Sequence, residues 1–132
     1  MAAHAGTRGS VAKGRSAAQW FCLIGGAALL VRGTVGVVLD PVFESPGEGW
    51  HQLIHLGSGV ALLVTASTPR WATAAALAFG LFYAAVAVVG FADGRDVASV
   101  IPVEGGDNLL HTVLTVTSLG AGLLSLRDRG AA

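Results

Sequence analysis

The sequence predicts an all-α membrane protein, a four-transmembrane-helix bundle, on three observations. Of its 132 residues, 53% are hydrophobic and only 12% charged, about half the charge of an average soluble domain, where roughly a quarter of residues are Asp, Glu, Lys or Arg. Apolar segments run at about 17–39, 51–66, 71–91 and 107–126, each rich in Ala, Leu, Val and Gly. All four prolines, Pro41, Pro46, Pro69 and Pro102, fall between these segments, as expected of residues that interrupt a helical hydrogen-bond ladder. A mean hydropathy of +0.67 points the same way. Four spans of about 20 residues with short loops leave room for a single membrane domain, 17–126.

The stretch 1–16 reads as a cytoplasmic tail. Arg8, Lys13 and Arg15 precede the first apolar run, but that run is longer than a signal peptide's apolar region of about 7–15 residues and lacks a small-x-small cleavage site behind it. It holds the single cysteine, Cys22, which excludes an intramolecular disulfide and reads as a small buried apolar side chain. Arg32 lies about 10 Å inside the far end of this span. It either snorkels to the headgroups or faces the bundle and pairs with Asp107.

The second span, 51–66, is the shortest, about 24 Å against a hydrocarbon core of about 30 Å, and borrows Trp50 or Ser67 and Thr68. Trp20, Trp50 and Trp71 stand near the first residues of three spans, where the amphipathic indole prefers the headgroup level. On the third span Ala72, Ala76, Gly80 and Ala84 form an i, i+4 strip, while Gly57 with Ala61 and Ser118 with Gly122 make shorter pairs. Small strips let backbones approach closely, either within the bundle or across a homodimer face. Phe79, Phe82 and Tyr83 read as lipid-facing or packing residues. The fourth span, 107–126, is followed by a cytoplasmic tail, 127–132.

Orientation follows from charge. Arg8, Lys13, Arg15, Arg70, Arg127 and Arg129 lie on one side of a four-span hairpin and only Arg95 on the other, so the positive-inside rule puts both termini in the cytoplasm. Asp40, Glu44, Glu48, Asp93, Asp96, Glu104 and Asp107 make the external side acidic. Nothing suggests nucleic-acid binding.

The chemically rich residues are two five-residue stretches, His51-Gln52-Leu53-Ile54-His55 and Asp107-Asn108-Leu109-Leu110-His111, each opening an apolar segment. Their likeness suggests a tandem repeat of two helical hairpins, with helices two and four both starting outside and meeting each other. His51 and His55 share a helix face, as do Asp107 and His111. Three accounts of this cluster stand open. In the first, Asp107 and Asn108 begin span four as capping residues, as His51 and Gln52 do less well for span two, and the histidines brace the bundle by hydrogen bonds. In the second, the imidazoles and carboxylate hold a zinc ion. In the third, His55 and His111 ligate haem b. No phosphate-binding, C-x-x-C, H-E-x-x-H or nucleophile-elbow pattern occurs, and no catalytic residue is expected.

These residues bring a family into view. Gly33-Thr34-Val35-Gly36, His51 through Gly57, Gly80-Leu81-Phe82-Tyr83, Gly90-Phe91, Ile101-Pro102-Val103 and Asp107 through His111 give the chain a pattern that resembles the domain of unknown function 4383 family. The resemblance covers about 17–126 and implies a bacterial, mainly actinobacterial, four-helix membrane protein without an established activity. Asn is commoner in that family at the positions of Gln52 and Glu104, and Trp at that of Leu109. The expectation is therefore a multi-pass protein of the bacterial cytoplasmic (inner) membrane, non-enzymatic, an accessory or scaffold without cofactor. Its expected partners are the lipid bilayer and a homo-oligomer or larger membrane complex. The alternative is a metal- or haem-binding subunit of a redox or transport complex. The candidate residues are His51, His55, Asp107, Asn108, His111 and Arg32.

Overall fold

A computed structural model describes residues 14–43, 47–93, 96–97 and 101–131, and among them it has four helices and one small hairpin. Helix α1, Ala17–Leu39, opens with a capping box: the Ser16 side chain accepts the Gln19 N–H, and the Gln19 side chain accepts the Ser16 N–H, so two otherwise orphaned donors are satisfied. Helix α2 spans Glu48–Thr65, and α3 spans Pro69–Asp93. Pro69 thus opens a helix instead of lying in a connector, at a position where its missing N–H costs nothing. Strand β1, Asp96–Val97, pairs antiparallel with β2, Ile101–Pro102, a hairpin that an all-α reading did not include.

Helix α4, Gly105–Gly130, is longer than expected at both ends. Its N-cap is Glu104, whose N–H donates to the Asp107 carboxylate at 3.1 Å. Residues 127–130 continue the helix where a tail was expected. Asp107 therefore serves in a capping box from inside the first turn, and Asn108 is buried.

Three helical stretches, Ala17–Leu39, Pro69–Ala92 and Gly105–Gly130, are long and apolar enough to cross a membrane. α2, with 18 residues, does not meet that measure, because Glu48, His51, Gln52 and His55 fill its first two turns. Ile24, Val31, Val38, Val64, Val88 and Val116 are between 63% and 72% exposed. Apolar side chains displayed on every helix suit contact with lipid.

α1 packs chiefly on α2, and α3 on α4. The first pair meets backbone to backbone: a Cβ on Gly33 would stand 2.7 Å from the Gln52 carbonyl oxygen and from the Leu56 nitrogen. Gly59 approaches the Leu30 nitrogen as closely. Gly57 and Ala61 are instead exposed, with open space beside Gly57. In the second pair Ala72, Ala76 and Gly80 are buried, the Ser118 hydroxyl donates to the Ala76 carbonyl, and Gly122 packs on Leu77. The strip on α3 therefore serves packing within the chain.

Arg15, Arg70, Arg127 and Arg129 gather at one end of the helices, and Arg15 and Arg70 lie over the rings of Trp20 and Trp71. Arg8, Lys13 and Arg95 lie outside the described residues. This arginine end is stitched by the Gln19 amide donating to the Ala66 carbonyl at 3.0 Å and the Ala18 N–H donating to the Ser125 hydroxyl at 2.9 Å. Cys22 is buried beside them. The histidines lie at the opposite end.

Candidate site: three histidines and a charge relay

Along α2 the buried residues His51, Gln52, His55, Ser58, Gly59 and Leu62 recur at helical spacing, and on α4 Asn108, His111, Leu114 and Ser118 do the same. Each stripe turns one face inward. The backbones of α2 and α4 nevertheless do not touch: among the described residues no Cα of one comes within 8 Å of a Cα of the other. The expectation that these helices are neighbours is corrected. They face one another across a gap that imidazole side chains bridge.

Those side chains are His51, His55 and His111, at most 2% exposed. Their ring centroids lie 4.6 Å (His51 to His55), 5.7 Å (His51 to His111) and 6.1 Å (His55 to His111) apart. One nitrogen from each ring lies within 4.8 Å of the others. Both nitrogens of His51 and His55, and Nδ1 of His111, have no hydrogen-bond partner among the described residues. Glu48 Oε2 stands 3.4 Å from His51 Nδ1 but is not aligned as a hydrogen bond.

Next to the imidazoles runs a relay of polar groups. The Asp107 carboxylate lies 3.6 Å from the Arg32 guanidinium of α1, which donates to the Gln52 side-chain oxygen at 3.0 Å. The Gln52 amide donates to Glu48 at 3.2 Å, and Glu48 reaches His51. Of the two roles open to Arg32, the structure shows the paired one. Gly36 leaves Gln52 its space, since a Cβ there would overlap the Gln52 side chain. Among the described residues Asn108 takes no part in the relay: it is packed against Gly90 of α3, and its Oδ1 has no partner there.

Tyr83 is a packing residue of the core, not a lipid-facing one, and it borders the imidazoles. It is 2% exposed, with its ring 5.5 Å from that of His111. Its hydroxyl is directed to Ser58 without hydrogen-bond geometry. A cavity of about 120 Å³ lies against the three imidazoles, walled by Phe82, Tyr83 and Val86 of α3 and by Val97 and Ile101 of the hairpin. Phe82 and Tyr83 had only their aromatic character to mark them. The signal that separates them is phase: Tyr83 falls on the same face of α3 as buried Ala76, Gly80 and Ala87, whereas Phe82 is 43% exposed.

Chemically, three neutral imidazoles converging on one point are a donor set for a first-row transition ion. Zinc holds nitrogens at about 2.0–2.1 Å, so three of them around one ion lie roughly 3.3 Å apart, against the 4.8 Å within which these nitrogens lie of one another. The cavity beside the rings, about 120 Å³, is below the roughly 300 Å³ at which pockets for drug-sized ligands begin.

Fold and site together define a helical protein with membrane-compatible apolar helices and a buried tri-histidine group at one end. The chain belongs to the family Domain of unknown function (DUF4383), which it matches over residues 46–124. That match takes in all three histidines, Asp107, Tyr83 and the hairpin. Arg32 lies outside it. No curated protein and no solved structure matches the chain.

Proposed function

We propose that this chain is a four-span integral protein of the cytoplasmic membrane, both termini cytoplasmic, acting as a non-enzymatic accessory protein that holds a transition-metal ion in the external half of the bundle. The observation that carries the metal reading is the set of buried imidazole nitrogens without partners. A histidine that braces a bundle by hydrogen bonds has its donor satisfied. An unmet buried polar group costs about 1–3 kcal/mol, and each neutral imidazole carries one N–H donor and one electron pair. Three electron pairs delivered to a single ion turn that cost into binding.

Four spans are supported by the manner in which α2 packs. Its 18 residues make about 27 Å of helix, and Gly59 and Gln52 lock it along α1. A helix so held cannot lie flat on the bilayer while α1 crosses it. The tandem-hairpin reading is supported by the two close pairs, α1 with α2 and α3 with α4.

Purified protein dialysed against Zn²⁺ and analysed for metal tests the proposal. One ion per chain is expected, with binding lost in His55→Ala and in His111→Ala. His55→Gln and His111→Gln, which still form hydrogen bonds, should restore thermal stability without restoring zinc. Parent protein that retains no zinc, copper or cobalt would refute the metal reading and return the histidines to a bracing role.

A further inference from the structure

Resting on the three-histidine reading, we propose that the ion keeps its fourth coordination position toward the apolar cavity and fills it with one small monoanion. Structural zinc sites close four protein ligands around the ion, whereas sites with three protein ligands leave one position for an exogenous group. Among the described residues no fourth His, Cys, Asp or Glu joins the cluster. The cavity borders all three imidazoles, so an ion between them lies on its wall.

Charge selects the ligand. Three neutral imidazoles leave a divalent ion with its full charge. Glu48, 3.4 Å from His51 Nδ1, offsets one unit, and a carboxylate behind a metal-bound imidazole is the common way of fixing the ring's tautomer and direction. Asp107 is already engaged with Arg32. Among the described residues no charged side chain lines the cavity. One positive charge therefore stays uncompensated in an apolar enclosure, where such a charge is costly, and a single monoanion neutralises it. Size permits it: about 120 Å³ admits a small ligand, since roughly 10–15 Å³ of such space already holds one water. Hydroxide, azide and cyanide belong to this class.

The test is azide titration of full-length, detergent-solubilised protein loaded with Co²⁺, whose visible bands report its coordination. A saturable, one-to-one change in those bands is expected. Val86→Phe, which fills the cavity from α3, should leave Co²⁺ affinity unchanged and weaken azide binding at least about tenfold, equivalent to ~1.4 kcal/mol. Ile101→Phe, outside the helices, carries the same expectation if Val86→Phe fails to fold. Bound Co²⁺ whose bands azide leaves unmoved would overturn this inference while the metal site stands. Protein that takes up neither Co²⁺ nor Zn²⁺ would overturn both. Azide binding of parental strength in the two filled variants would remove the ligand from the cavity.

Discussion

Arg32 of α1 and Asp107 of α4 form the ion pair that joins the first and last helices at the histidine end, 3.6 Å apart, with the Asp107 side chain 15% exposed and that of Arg32 43% exposed. The pair is partly open to its surroundings, so its worth is moderate. Arg32→Gln and Asp107→Asn should each lower unfolding stability in detergent, and the double variant should lose less than the sum. A coupling of about 0.5–1 kcal/mol is expected from a double-mutant cycle. Strict additivity would mean that the two charges act independently.

Glycine positions differ sharply in what they tolerate. At Gly33 a Cβ meets backbone atoms at 2.7 Å, which no side-chain rotation relieves, so Gly33→Ala should destabilise by about 1–3 kcal/mol. Gly57→Ala, with nothing within 4 Å, should be neutral or stabilising by up to about 1 kcal/mol through helix propensity. Thermal unfolding of the two variants side by side checks the ordering. Equal loss in both would contradict the backbone contact between α1 and α2.

In the metal site proposed here, Glu48 would act on the ion through His51. Glu48→Gln should weaken zinc about 10–100-fold, the usual effect of removing a carboxylate behind a ligand, with helix content unchanged by circular dichroism. Affinity should also fall as pH is lowered, since protons compete for the imidazole electron pairs the ion needs. Zinc affinity that rises on acidification would rule out imidazole ligation.

The proposed sidedness rests on the basic residues. Alkaline phosphatase fused after Leu126 should be inactive, and phosphatase placed in the 93–106 connection should be active. Activity at both positions would invert the assignment of the tail.

The fold was legible wherever hydropathy alone decides. α1 ran over 17–39 as expected because Ser16 and Gln19 mark its start and an apolar run fills it. α2 was harder, since its first turn, Glu48 to His51, is polar and gives no hydropathic signal for where the helix begins. The histidines and Asp107 stood out in sequence as ionisable groups at the heads of apolar segments. Glu48 carried a readable sign, its position three residues before His51, but counted only as external charge. What could not be read was the gap between α2 and α4, which depends on how two hairpins dock. The hairpin that walls the cavity has two residues per strand, too few for any alternation of hydropathy to register.

Arg32 lies outside residues 46–124, the portion matched by the family, while its partner Asp107 lies inside. In the four-span arrangement proposed here, ribosomal synthesis delivers the cation first and the anion last. α1 must settle Arg32 near the membrane surface by itself, which its long aliphatic stem permits. α4, with Asp107, Asn108 and His111 in its leading turns, then arrives to find a counter-charge already lodged. In that arrangement order of translation becomes part of how the chain inserts: α4, with Asp107 near its head, follows a helix that already carries the counter-charge.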